Sequence, residues 1–344
     1  MGYKKNYYIL ARIKIFISIL LKGKLSFKKI LNAVHSFLAY YLKRKRTSRS
    51  PFMISFELSN ECNVNCLFCR SVEGDIYDHN PKSDMPIPKG EMAFELYTDI
   101  IDQVQDYLIM AVLYVNGEPL LYNDLNKAIK YASDRRIATM ISTNGMLLSK
   151  NTIIELLDSG LDFIKICISG FTQDVSRIQQ RISNIEHVKD NIKTLVQLNR
   201  NGKYSLVIMV DFMLYEYNVH EVDVAHKFCR GLDIMFNLRP GNVYGLENIQ
   251  PLPTKEAFDP LTTRCDLPWK ILTVNWNGDL SPCCDYILWS GSRPYAVFEK
   301  GKTHIFDIWN GEEAIRKRLI HVQNGRKAIP VCSQCPRQGT AFKF

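Results

Sequence analysis

The chain has 344 residues, 46% hydrophobic and 23% charged, which exceeds one average domain and is ample for folded cores, so two domains are expected. Its net charge of +9 is unevenly spread: thirteen of the 44 Lys and Arg and none of the acids fall in residues 1–50, leaving 31 basic against 35 acidic residues beyond them. With no basic face continuing past that head, nucleic acid is excluded as an expected partner. Ten cysteines, seven of them in cluster-like spacings, point to metal ligation in a reducing cytoplasm and exclude a disulfide framework.

The head, residues 1–50, carries two apolar stretches. Ile15 to Leu21 is fenced by Lys14 and Lys22 and falls far short of the ~20 residues that span a bilayer. No small-residue cleavage site follows it, so it does not read as a secretory signal. After Ser26, a suitable N-cap, Phe27, Ile30, Leu31, Val34, Leu38 and Tyr41 recur at helical spacing. Lys28, Lys29, Asn32 and His35 fall on the other side, and Lys43-Arg44-Lys45-Arg46 follows. A basic amphipathic helix without acids suits an anionic membrane surface, which would place a cytoplasmic protein peripherally on the inner membrane face. Docking on the protein's own core is the other reading.

From Phe52 onward short apolar strands alternate with helical patterns, the signature of βα units around a parallel sheet. The first strand, Phe52–Leu58, leads into Cys62-Asn63-Val64-Asn65-Cys66-Leu67-Phe68-Cys69, a C-x3-C-x2-C run with an aromatic residue before its last cysteine. Three such thiolates hold three corners of a four-iron, four-sulfur cluster and leave one iron open to a small molecule. A structural zinc site would want a fourth ligand.

This run resembles the signature of the radical S-adenosylmethionine (SAM) superfamily, and the resemblance extends over about residues 52–344. It implies that Cys62, Cys66 and Cys69 ligate the cluster, that Phe68 packs near the adenine, and that SAM chelates the open iron. Cleavage of SAM then yields a 5′-deoxyadenosyl radical that removes hydrogen from a substrate.

Further strands are expected at Ile109–Val115, Ala138–Ser142, Phe163–Ile168, Leu206–Phe212 and Ile234–Leu238, with helices at about Glu91–Val104, Leu125–Ser133, Ile153–Leu157, Val188–Leu198 and Glu221–Cys229. Six units make an α/β fold, a partial (β/α)6 TIM-like barrel over residues 51–240, with polar motifs past the C-terminal ends of its strands. By resemblance, Gly117-Glu118-Pro119 meets the ammonium of SAM. Ser142 and Asn144 bond its ribose or carboxylate, Ser169 touches the same part, and Arg181 grips the methionine carboxylate, with Arg177 a near-equal choice. Asn218 matches the family loosely.

Residues 241–264, with Pro251, Pro253 and Pro260, read as a linker. Residues 265–344 then hold Cys265, a hairpin turning at Asn277-Gly278, the pair Cys283-Cys284, a helical stretch Trp309–Leu319, and Cys332-x2-Cys335. This resembles a SPASM/twitch-type auxiliary domain, in which Cys265, Cys283, Cys332 and Cys335 close a second 4Fe-4S cluster; a zinc ribbon uses the same four sulfurs. Cys167 and Cys229 read as buried packing. Cys284 reads either as packing or as a hydrogen donor to a substrate radical.

The resemblance thus implies a radical SAM enzyme with two 4Fe-4S clusters, one binding SAM and one auxiliary, served by a reductant such as flavodoxin or ferredoxin. Dehydrogenation or epimerisation of a sugar, aminosugar or lipid-linked glycan precursor is the expected reaction. A peptide-modifying SPASM maturase is the alternative, because residues 1–50 are too short and basic for a leader-gripping module. A non-catalytic iron-sulfur electron-transfer or binding protein is the alternative of another class.

Overall fold

The structure, a computed structural model, describes residues 6–67, 88–241, 264–284, 294–333 and 335, with side chains from residue 13 onward. Two helices, α1 (Asn6–Leu21) and α2 (Phe27–Tyr41), precede β1 (Met53–Phe56), α3 (Phe94–Val104), β2 (Met110–Val112), α4 (Leu125–Asp134), β3 (Ala138–Thr143), α5 (Lys150–Asp158) and β4 (Phe163–Ile168). There follow α6 (Gln173–Gln179), α7 (Ile185–Asn201), β5 (Val207–Leu214), α8 (Val222–Gly231) and β6 (Met235–Pro240). The six expected strands are all present, each within a few residues of its expected bounds. Helix α6, a seven-residue piece, was not foreseen.

Strands β1 to β6 are parallel in sequential order, with β6 at the outer edge. Because strand side chains alternate between faces, each strand splits cleanly. In β4, Ile164, Ile166 and Ile168 join the main core beneath the helices. Phe163 instead joins a second apolar cluster with Met53, Met110, Ala138, Met140 and Met209, which fills the barrel lumen at its lower end.

The C-terminal residues do not form a detached module. Strand β7 (Ile271–Val274) pairs parallel with β1, Met53 opposite Ile271, and β8 (Asp279–Ser281) and β9 (Ala296–Val297) continue antiparallel. One nine-stranded sheet therefore runs from β6 to β9. Gly278 at φ +90° makes the expected turn between β7 and β8. The expected helix Trp309–Leu319 is two helices, α9 (Ile305–Trp309) and α10 (Glu312–Asn324). The break frees Asn310, whose amide accepts from Thr47 N at 3.0 Å and donates to Ser48 O at 2.9 Å, fastening the chain that follows α2. A short α11 (Pro330–Ser333) carries Cys332.

The two N-terminal helices cover the end of the barrel where the strands begin. Ile15 and Ile19 plug the lumen cluster, and α1 runs against β6. At the junction of the helices, Lys22 and Lys24 both pair with buried Asp162, at 2.9 and 2.7 Å, just before β4. Ser26 caps α2 as expected, accepting from Lys29 N. Helix α2 does dock, through its polar side and the aromatic flank beside it, where Phe37 stacks on Phe52 and Tyr40 meets Trp269 edge-on. Lys29, Asn32, Ser36 and Ala39 are its buried residues. Lys29 Nζ donates to Arg136 O at 2.6 Å, Asn32 to Ser50 O at 2.9 Å, and Ser36 meets Ser48 at 2.7 Å. No described helix is long and apolar enough to cross a membrane.

Candidate active site

The loop after β1 carries Cys62 and Cys66 at the C-terminal rim of the sheet; Cys69 and Phe68 lie outside the described residues. Cys66 bridges to Gln180 and Leu67 N donates to Gln179 O at 2.8 Å, so the loop is clamped to the end of α6. Asn65 Oδ1 in the loop and Gln179 Oε1 beside it are buried with no hydrogen-bond partner among the described residues. Buried oxygens of this kind are ordinarily satisfied, so these two fit a bound group that donates hydrogen bonds.

Gly117 is required where the turn after β2 crosses this loop. Its φ is +72°, and a Cβ there would stand 2.6 Å from both Ser59 O and Glu61 O. The next amide, Glu118 N, donates to Glu61 O at 2.7 Å. The Glu118 carboxylate turns inward, accepting from Asn144 N at 2.9 Å and Leu120 N at 3.2 Å. Burial raises its pKa to about 7 in spite of the hydrogen bonds from Asn144, Thr143 and Leu120. Its visible work is to tie the β2 turn to the β3 turn. Asn144 is thereby set over the cysteine loop, its Nδ2 2.8 Å from Asn63 Oδ1 and 3.9 Å from Cys62 Sγ.

Ser169, past β4, is buried and bonded to Gln180, while its carbonyl accepts from Asn218 Nδ2 at 2.7 Å. Asn218 lies in a 3-10 turn after β5 and braces Ser169 from behind. Arg181 is half-buried next to Gln180, whereas Arg177 is exposed on α6. The structure therefore gathers Gly117, Glu118, Asn144, Ser169 and Arg181 around the cysteine loop, with Ser142 one layer deeper.

That deeper layer was not anticipated. Lumen-facing positions of β3 to β6 turn from apolar to polar towards the rim: Ser142, Lys165, Cys167, Asp211, Asn237 and Arg239. Asp211 is fully buried and accepts from Arg239 Nε at 2.6 Å and Asn237 Nδ2 at 2.5 Å, with Lys165 Nζ at 3.6 Å. Lys165 also donates to Tyr114 OH at 2.9 Å. Burial pushes the Asp211 pKa up, but Arg239 and Lys165 outweigh it and hold the carboxyl at about 2. Tyr114 and then Asp211 keep Lys165 charged against its burial, and Asp211 foremost does so for Arg239. Asn237 Oδ1 is buried without a partner among the described residues. Cys167, read from sequence as packing, instead meets Ser142 Oγ at 3.1 Å and Asp211 Oδ2 at 3.7 Å. Burial raises its pKa, so it stays a thiol. Cys229 is buried packing, as expected. The signal for the missed residues was present: polar side chains every second position in otherwise apolar strands mark one face of a sheet.

In the C-terminal part, Cys265, Cys283 and Cys332 line one cavity with Lys317 and His321. Cys335 acts on Cys265 electrostatically, and burial followed by nearby Asp266 raises the Cys265 pKa. His321 Nε2 lies 3.7 Å from Cys332 Sγ. The four expected thiols are therefore gathered, a donor set that fits an iron-sulfur cluster. Cys284 is not part of that lining.

Residues 56–229, half of the chain, match the Radical SAM superfamily model, and residues 265–336 match the SPASM iron-sulfur cluster-binding domain. A relative in Flammeovirga pacifica, an S-adenosylmethionine-dependent nucleotide dehydratase, is 31% identical over 168 residues, 49% of this chain and 55% of its own. The match thus spans about half the length of that relative. Among solved structures, BtrN in complex with AdoMet and 2-DOIA superposes with TM-score 0.54 at 19% identity, over 85% of this chain and 96% of that one. Streptococcus suis SuiB bound to precursor peptide SuiA superposes with TM-score 0.59 at 13% identity, over 88% and 74%. At these identities the likeness shows the fold.

Proposed function

The chain belongs to the radical SAM superfamily and binds SAM and 4Fe-4S clusters, one of them auxiliary in the SPASM domain, and from that premise we propose that it removes hydrogen from a small substrate bearing an anionic group, seated in the lumen. The observation that carries this reading is the Lys165–Asp211–Arg239 cluster, two cations around one carboxylate. Its surplus positive charge favours a phosphate or carboxylate substituent, and Arg239 presents the planar fork that suits one. Asp211 is saturated by Arg239, Asn237 and Lys165, so it offers little to a free amine. Among sugars, phosphorylated or carboxylated ones fit better than a simple aminosugar.

When bound, SAM and its cluster supply the deoxyadenosyl radical that takes the substrate hydrogen. The protein's part is to orient that carbon and to decide the fate of its radical. Cys167 retains its S–H in the lumen next to Ser142, where it can give a hydrogen atom to the substrate radical and invert the centre. The thiyl radical left behind is restored to the thiol by a second electron from the flavodoxin- or ferredoxin-type reductant and a proton from solvent. Oxidation through the auxiliary cluster is the other outcome. Cys284, which the sequence left open as packing or as a hydrogen donor, is the alternative thiol. The reductant supplying the first electron is a flavodoxin or ferredoxin.

The test is anaerobic reconstitution with dithionite and SAM, monitoring 5′-deoxyadenosine with and without phosphorylated or carboxylated sugars. Stimulation by acidic sugars and not by neutral ones or free aminosugars is the expected result; equal response to all would sink the lumen assignment. In D2O, inversion through a thiol places one solvent deuterium at the reacting carbon, whereas oxidation places none. A peptide substrate is the second reading, favoured by the likeness to peptide-bound SuiB.

A further inference from the structure

Helix α2 is mounted on the protein the wrong way round for a soluble fold. An amphipathic helix ordinarily buries its apolar stripe, yet here the polar stripe, Lys29, Asn32, Ser36 and Ala39, is against the barrel. At 3.6 residues per turn the opposite stripe is Phe27, Ile30, Leu31, Val34, Leu38 and Tyr41, and all six are exposed, Phe27 by 75% and Tyr41 by 70%. Helix α1 docks differently, through apolar Ile15 and Ile19 that plug the barrel, but it too leaves Phe16, Leu20 and Leu21 outside. Thirteen of the twenty large apolar side chains exposed among the described residues lie between Ile13 and Leu42. They are concentrated on one end of the molecule, and patches of this kind mark interaction surfaces.

The charges around the patch choose its occupant. Lys14 and Lys43 to Arg46 are exposed around it, Lys28 is exposed and paired with Asp106 at 3.0 Å, the imidazole of His35 is exposed beside it, and residues 1–50 themselves contain no acid. Lys28 and His35 lie on one flank of the α2 stripe, between its apolar and buried sides. An apolar stripe rimmed by cations and lying flat on a folded body matches the interface of an anionic bilayer, where acyl chains take the stripe and headgroups take the rim. A partner protein would have to supply acids all round an apolar centre.

We propose that α1 and α2 together form a monotopic membrane foot, held to the barrel by Ile15 and Ile19 of α1 and the polar side of α2, and inserted by its outward apolar side into an anionic lipid surface. The lock to the barrel is specific. Lys22 and Lys24 close on Asp162, Lys29 on Arg136 O, and Asn32 on Ser50 in both directions. The foot is therefore rigid with the enzyme, not a tethered tail. It lies under the start of the strands, opposite the rim that carries the cysteine loop.

The experiment is flotation of the full-length, reconstituted protein with vesicles of phosphatidylcholine alone or with about one-third phosphatidylserine. It is expected to float with the anionic vesicles at least about tenfold more than with the neutral ones, since each basic residue near the surface contributes about fivefold. Salt at about 1 M, where charges are screened beyond about 3 Å, should remove that difference. The variant Phe27→Ser/Leu31→Ser/Leu38→Ser should retain full iron content and 5′-deoxyadenosine yield yet stay in the aqueous fraction. The variant Lys14→Glu/Lys45→Glu/Arg46→Glu, which leaves the stripe and the lock to the barrel intact, should lose the preference for anionic lipid. Wild-type protein that floats with neither vesicle overturns the proposal. So does a wild-type dimer that the serine variant converts to monomer, which would assign the stripe to a second copy of the chain.

Discussion

Asp211 shows how one residue holds several strands in register at the site. It lies opposite Cys167 on β4 and Asn237 on β6, and its carboxylate reaches Arg239 as well. Asp211→Asn would leave two buried cations facing each other. Breaking a buried pair in this way costs about 3–5 kcal/mol, measurable by denaturant unfolding. Lys165→Met keeps the stem and removes the charge, so SAM cleavage should persist while its coupling to product falls at least about a hundredfold, roughly the 3 kcal/mol that charge-assisted hydrogen bonds reach. Cys167→Ser and Cys284→Ser separate the two thiols. If inversion is the reaction, the first should abolish product while 5′-deoxyadenosine still forms, and the second should leave product unchanged; the reverse pattern returns the role to Cys284. The rim motifs were legible because each is a local string at the end of a strand. The inward turn of the Glu118 carboxylate was not, since it depends on where the β3 turn brings Asn144 N.

At the scale of elements, the alternation of apolar runs located the strands because each is short and bounded by turns. The face that α2 buries was not legible: its stripe has the pattern of a core helix, and the partners of the other side, Arg136 O, Ser50, Phe52 and Trp269, are brought to it by distant parts of the chain. Lys29 makes that docking sensitive to pH. Burial, followed by the nearby charge of Lys24, lowers its pKa from 10.5 to about 8. Between those values the unfolded chain holds a proton that the folded chain has released, so stability rises with pH. Protection of the α2 amides from hydrogen exchange, corrected for intrinsic rate, should therefore increase from pH 8 to 10.5, by on the order of 2 kcal/mol. No increase would show that Lys29 is solvated. A chain shortened to begin at Pro51 should unfold at lower temperature, because Asp162 would keep Thr139 N but lose both lysines. Such a chain is a poor control for membrane binding.

For the whole molecule, the pairing of β7 with β1 makes the C-terminal part a continuation of the barrel sheet. Pairing between the two ends of a chain leaves no local trace in sequence, which is why the hairpin was legible and its attachment was not. The two cysteine sets lie in different segments, one after β1 and one in the C-terminal part, so they can be tested apart. Replacing Cys62, Cys66 and Cys69 with alanine should remove about half the iron and all SAM cleavage. Iron analysis showing undiminished content would overturn the ligand assignment.

The placement of α1 and α2 beneath the first residues of the strands has a kinetic consequence. The six residues of β4 alone separate that end from the rim by ~20 Å. With the foot on a bilayer, the barrel mouth opens to the aqueous side. Surface attachment then gives no two-dimensional enrichment of substrate at the mouth. Adding anionic vesicles should leave kcat/KM for a water-soluble substrate unchanged, with no interfacial activation. A lipid-borne substrate with a short headgroup should be turned over from detergent micelles but not from the membrane to which the enzyme is bound, a contrast that a paired micelle and vesicle assay would measure directly.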